Sequence, residues 1–410
     1  MEKPFLPIFD FRDLIQKYNS EILKLSGEQR LDPRSDCPMI SGMSASSSVR
    51  IKKGSLLVYR IFDVAEEISV SQVEAILRDN RGPDRFKVPK FIDRAIVMRN
   101  PPVTFGLGEE VIRVKGREIK ADVLVKVRDF GALSIVYQIN IPPGTSWEEL
   151  IRMASDLEEG SEIDLMAQQQ AREITSAIAS AMKKPSTWGA FEDYIIYFFE
   201  EFEDGIMAKD LLAKADVASL LLAEDKVRIS GSTKNSLLES VYQYSETDLT
   251  MIEWNSALVV EPNGGREVPD ILEFAVTQLM EMRFYDELLD TKLAALYNSI
   301  EVKRGSTWGN KYNRIYEEAS SRYIEFIEFL EKVENSLKVV GDFYLATIYR
   351  GATRKFRIPD WQNSVTRKMN ILAQVSNLLQ GEINMQKSHW MEITIILLIL
   401  YEILVAIWNR

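Results

Sequence analysis

Residues 119–141, IKADVLVKVRDFGALSIVYQINI, set the frame for the rest of the chain. The two arms, 119–129 and 132–141, are rich in aliphatic and β-branched residues and read as strands. Phe130-Gly131 between them reads as the turn of an antiparallel hairpin. Working outward, LLVYRIF (56–62), RAIVMR (94–99) and VIRV (111–114) read as further strands, and SVSQVEAILRD (69–79) as a helix capped by Ser69. On the other side Pro142-Pro143-Gly144 turns the chain into a helix from Ser146 or Trp147 to Leu157. A second helix covers 161–182, and DYIIYFF (193–199) is apolar enough for a buried strand. Hairpins mixed with helices predict an α+β fold rather than a doubly wound sheet.

Beyond residue 208 the sequence reads as mostly helical. Short helices are expected at 215–224 and 233–243, and LTMIEWNSALVVEP (249–262) holds a strand or hairpin ended by Pro262-Asn263-Gly264-Gly265. In 271–300, Ala275, Leu279, Met282, Leu289, Leu293 and Leu296 follow alternating four–three spacing, with Asp286 interrupting the series. In 310–340, Tyr312, Tyr316, Tyr323, Phe326, Leu330 and Leu337 do the same. That spacing is the seam of a coiled coil, and glycines at 305 and 309 suit the turn of an antiparallel helical hairpin. Helices at 342–355 and 361–380 follow. The expected organisation is an N-terminal helix and polar loop (1–50), an α+β domain (51–200), a helical and strand connector (201–270), a coiled-coil stalk (271–388) and a transmembrane tail anchor (389–410).

Composition excludes several chemistries. The 410 residues are 46% apolar and 27% charged, ordinary for a globular chain. One cysteine, Cys37, and one histidine, His389, rule out an intramolecular disulfide and any single-chain Cys/His zinc site. A nucleophilic triad would have to use His389. Fifty Lys and Arg against 61 Asp and Glu leave a net charge of −11, a poor start for a phosphate-binding surface. No GxxxxGK[ST] occurs, and Gly106-Leu107-Gly108 lacks a third glycine and a following helix, so it reads as a turn rather than a dinucleotide loop.

The C-terminus reads WMEITIILLILYEILVAIW (390–408), about 28 Å as a helix, bracketed by tryptophans. Two carboxylates, Glu392 near its start and Glu402 past its middle, interrupt it, and the surrounding aliphatics outweigh them on insertion scales. The alternative is a terminal helix buried in a bundle. Residues 303–410 carry fifteen Lys and Arg against eleven Asp and Glu, whereas 200–301 carry eight against twenty-one. The basic flank predicts a single-pass anchor in the cell inner membrane with the bulk of the chain cytosolic. A carboxyl at Glu402 is expected to face another copy of the segment, favouring a homo-oligomer.

The best candidate for chemistry contains carboxylates alone. Glu281, Asp286, Glu287 and Asp290 share one expected helix, and a pair one turn apart could hold Mg²⁺ or Mn²⁺ through oxygen. The same residues could instead pair with Arg283. Trp254-Asn255 could recognise a ligand, or be a buried Trp beside an Asn bonded to the main chain. The aromatic stripe at 312–329 is more simply a helical core than a stack for bases.

Three stretches, DLTMIEWNSALVVEP (248–262), ILEFAVTQLMEMRFYDELLD (271–290) and HWMEITIILLILYEI (389–403), together resemble the membrane-anchored proteins named for a requirement in meiotic nuclear division, long grouped as a domain of unknown function. The residues carrying the likeness are Asp248, Trp254, Asn255, Glu273, Glu281, Arg283, Tyr285, Asp286, Trp390 and Glu392. The likeness covers about 190–410. It implies a tail-anchored organiser, one mitochondrial member of the group being implicated in translation at the inner membrane. The absence of a transit peptide suggests a prokaryotic relative. The group brings no catalytic residues. The resulting expectation is a membrane-tethered, non-enzymatic scaffold without a cofactor that holds an unidentified cytosolic protein and makes no direct contact with nucleic acid. The rival is a metal-dependent hydrolase or nucleotide-handling enzyme on helix 271–300.

Overall fold

The computed structural model describes the backbone of residues 49–78, 101–185, 189–301, 321–331 without 322 and 325, and 343–408. It describes side chains within these stretches apart from 296, 299–301, 376–390 and 402–408. The strand expected at 94–99, the helix at 10–25, most of 310–340, Cys37 and the side chains of His389, Trp390 and Glu402 lie outside the described residues.

The elements follow in the order β1 (Arg50–Asp63), β2 (Ala65–Ile68), α1 (Val70–Arg78), β3 (Val103–Val114), β4 (Arg117–Val127), β5 (Ala132–Asn140), β6 (Thr145–Ser146), α2 (Trp147–Glu159), α3 (Glu162–Ala177), β7 (Met182–Pro185) and β8 (Phe191–Phe202). The second half contributes α4 (Ala208–Lys214), α5 (Val217–Leu221), α6 (Gly231–Leu238), β9 (Val241–Tyr242), β10 (Leu249–Ile252), β11 (Ser256–Val260), α7 (Glu267–Glu301), α8 (Phe343–Lys355) and α9 (Ile358–Trp408). Nine strands make one sheet in the order β3-β4-β5-β1-β8-β11-β10-β9, with β6 also on β1, and β2 pairs with β7 in a small second sheet. Every pairing in the large sheet is antiparallel except β8 with β11.

The hairpin at 119–141 forms as its pattern dictates, with Val127 opposite Leu133. Gly131 adopts φ +95°, and a Cβ there would lie 1.6 Å from the carbonyl oxygen of Ala65, so the turn needs glycine twice over. Gly106-Leu107-Gly108 is not a turn. It lies inside β3, where a register shift against β4 marks a bulge and Gly108 takes a positive φ.

Both faces of the central strands are apolar, and this overturns the expected architecture. On β1, Leu56 and Val58 join one core while Leu57, Tyr59 and Ile61 join another. On β8 the split is Ile195, Tyr197 and Phe199 against Tyr194, Ile196 and Phe198. Helices α2 and α3 and the short helices α4 to α6 cover the first face. The second face is covered by α7, whose Ile271, Leu272, Ala275, Val276, Leu279 and Met280 are all buried, and by α8 and the first turns of α9. The protein is therefore mixed α/β, with helices on both sides of one large sheet. The α+β head carrying a separate antiparallel coiled-coil stalk is not what forms. A strand set apolar on both faces needs a second helical layer, and the helix expected to be stalk supplies it. Phe326, Phe329 and Leu330 are buried, but with Tyr285 on α7 and Phe130 in the β4–β5 turn rather than in a detached seam.

The membrane anchor is also not supported. Among the described residues no helix is long and apolar enough to cross a membrane. The single-pass topology and the inner-membrane location built on that anchor fall with it.

Phe326 is fully buried whereas Glu328 is exposed. Phe326→Ala is expected to cost about 3–5 kcal/mol in urea unfolding, and Glu328→Lys to stay within about 0.5 kcal/mol of the parent.

Candidate functional site

Charged residues converge where α7 lies on the sheet. Near its start, Lys126 Nζ on β4 donates to Asp270 Oδ1 at 2.6 Å and to Glu273 Oε2 at 2.5 Å. Arg128 donates to Glu273 Oε1 at 3.5 Å and stacks 5.4 Å from the Phe274 ring centroid. Arg266 lies 4.2 Å over Phe198. Burial works against charge on Glu273, but Lys126 and Arg128 outweigh it and hold its pKa below the ordinary carboxylate range. Lys126 is raised: burial opposes its charge, and Glu273 and Asp270 overcome that. These four charges are closed on one another.

Two turns along α7, the arrangement differs. Glu281 is 3% exposed, and its Oε1 has no hydrogen-bond partner among the described residues. Burial, with the negative charge of Asp63 at the end of β1, pushes its pKa well above the usual range and favours its neutral form. Arg283 pairs with Glu192 at the start of β8. Burial raises Glu192 to about 7, with Arg283 pulling the other way.

The third cluster faces α9. Lys368 Nζ lies 2.8 Å from Asp286 Oδ1 and 2.6 Å from Asp290 Oδ2. Ser364 Oγ donates to Asp286 Oδ1 at 2.8 Å. The carboxylate pair proposed for a metal is thus bound by a lysine from another helix, while Glu281 points to the sheet. Among the described residues no group of three or more His, Cys, Asp or Glu could hold a metal ion.

The remaining singled-out residues are structural or exposed. Asp248 accepts from the backbone N–H groups of Tyr244 and Ser245, at 2.8 and 2.5 Å, closing the turn between β9 and β10. Tyr285 is buried with its ring 5.0 Å from that of Phe326. Trp254 is neither buried nor inside a strand. It occupies the β10–β11 turn at 38% exposure, edge-on to Phe356, and Asn255 reaches Glu158 at 3.5 Å. Glu392 is exposed on α9. Sequence reasoning missed Asp63, Lys126, Arg128, Glu192 and Lys368 because each meets its partner across 78 residues or more. Polar residues on apolar strands were the only signal.

A family profile described as the N-terminal domain of uncharacterized protein MJ0711 matches residues 53–267. The uncharacterized protein MJ0711 of Methanocaldococcus jannaschii is 24% identical over 275 residues, covering 66% of this chain and 80% of that protein. No solved structure matches. These matches do not link the chain to the meiotic nuclear division group.

A carboxyl whose folded pKa is raised binds its proton more tightly in the folded state. It contributes stability below its unfolded pKa, and this is lost as pH rises through the folded value. Glu192 therefore predicts a fall in melting temperature between pH 4.5 and about 7, and Glu281, also raised, adds to the fall as pH rises above the ordinary carboxylate range. Glu281→Gln keeps the neutral shape, so it should flatten that fall and raise the melting temperature at pH 8 relative to the parent, as followed by scanning calorimetry. Mg²⁺ or Mn²⁺ added to the parent should leave the melting temperature unchanged, because the Lys368 ammonium already sits between Asp286 and Asp290.

Proposed function

The chain belongs to the family of the MJ0711 N-terminal domain, and from that premise we propose that it is a non-enzymatic organising protein which assembles through α9 with further copies of itself. The observation that carries this reading is the surface of residues 391–401. Met391, Ile393, Tyr401 and every residue from Ile395 to Leu400 are 47–65% exposed on one continuous helix. Successive residues turn by about 100°, so consecutive apolar side chains cover the whole circumference. Leaving such a surface in water costs about 25 cal/mol for each Å².

A second copy is the natural cover. The four–three spacing that buries Val365, Met369 and Leu372 against the core recurs at Ile393, Leu397 and Leu400. The helix leaves its own domain carrying the seam by which it packed there. One partner helix covers only one seam, so an all-round apolar helix calls for a bundle of several copies.

Sedimentation equilibrium of the full-length chain tests the reading. The expected result is an oligomer that Leu397→Asp with Leu400→Asp converts to a monomer of unchanged far-UV ellipticity. A parent that stays monomeric at all concentrations, or a variant that assembles equally well, overturns it.

A further inference from the structure

The rim of the sheet at β9 and β10 presents a second surface, away from 391–401. Along α8, Phe343, Thr347, Arg350 and Arg354 follow at intervals of four, three and four, which places them on one face. Phe343 is 80% exposed, as is Tyr244 from the turn after β9, whose ring lies 5.8 Å from that of Tyr344 on the same helix. The guanidinium of Arg350 stacks 5.9 Å from the Phe343 ring centroid and donates to Thr347 Oγ1 at 3.3 Å. Arg354 is exposed one turn further on.

The carboxylates nearby are already engaged. Asp248 accepts from the turn it closes, Glu246 pairs with Lys209 and Glu253 with Lys355. Arg350 and Arg354, by contrast, pair with no carboxylate among the described residues. The result is a ridge of side chains along α8 and the β9–β10 turn, with exposed rings and guanidinium groups that pair with no carboxylate among the described residues, on a chain of net charge −11.

We propose that this ridge binds a single-stranded nucleic acid, its bases stacking on Phe343 and Tyr244 and its phosphates meeting Arg350 and Arg354. Rings beside a cationic track suit a single strand, because every base offers a π-face. A duplex needs a helix set in a groove with more phosphate contacts than two arginines supply. The acidic remainder of the chain confines attraction to the ridge and makes it salt-sensitive.

Titration of the full-length chain into a short fluorescein-labelled oligouridylate, read by anisotropy, tests the assignment. The expected result is saturable binding at low salt that weakens as salt rises. Phe343→Ala with Tyr244→Ala should lower affinity about tenfold. Arg350→Gln with Arg354→Gln, which removes charge without adding repulsion, should lower it about tenfold and reduce the salt dependence. Arg113→Gln on the opposite sheet edge should change nothing. Absence of binding, equal binding by the ridge variants, or displacement by polyglutamate as effective as by unlabelled RNA overturns the proposal, the last assigning the ridge to an acidic protein segment. The assembly variant Leu397→Asp, Leu400→Asp should still bind RNA at each monomer, so the two proposals fail separately.

Discussion

The ion pairs of Lys126 with Asp270 and Glu273 lie in the contact on which the second half of the molecule is built. Apolar burial supplies the attraction between α7 and the sheet, but it is non-directional, and a long helix can slide on an aliphatic face. Buried charges cannot slide. Moving α7 by one turn would leave Glu273 uncompensated in a dry interface, at a cost of about 3–5 kcal/mol for a broken pair. The network contributes to register more than to net stability, because desolvation consumes much of the Coulomb gain.

With α7 fixed, the layers outside it follow. Leu272, Ala275 and Leu279 are buried along it. Asp286 and Asp290, further along the same helix, receive Lys368 and so position α9. Tyr285 packs against Phe326 at the same level. The buried pair of Glu281 and Asp63 introduces a protonation-dependent element into the same interface: burial and the Asp63 charge make the folded state bind the Glu281 proton more tightly than the unfolded chain does. Position in the sequence says little about these roles, since neighbours on α7 serve opposite faces of one helix.

That division explains the fate of the carboxylate cluster. Read along one helix, Glu281, Asp286 and Asp290 look like a ligand set. In three dimensions Glu281 meets the sheet and the aspartates meet a lysine on α9, so the set is divided between two interfaces. The coiled-coil reading of 271–300 met a similar outcome. Its apolar spacing is real, but a helix packed on a sheet uses the same four–three periodicity as one packed on another helix. Trp254 shows the converse: apolar neighbours on both sides suggested burial, and a two-strand hairpin placed it at the tip.

What the sequence determined by itself was local. Alternation and the Phe130-Gly131 turn specified the β4–β5 hairpin, β1 and β8 were legible as apolar runs, and the start of α2 was marked by Ser146 and Glu149, which form a reciprocal cap. Cysteine and histidine counts removed whole classes of chemistry. The tertiary structure alone decided that β8 pairs in parallel with β11, that α7 is core, and which charges neutralise which. The physical reason is the range of the interactions. Turn sterics, capping and periodicity act within a few residues, whereas Lys126 and Glu273 are 147 residues apart along the chain and become neighbours only when the sheet and its second layer close.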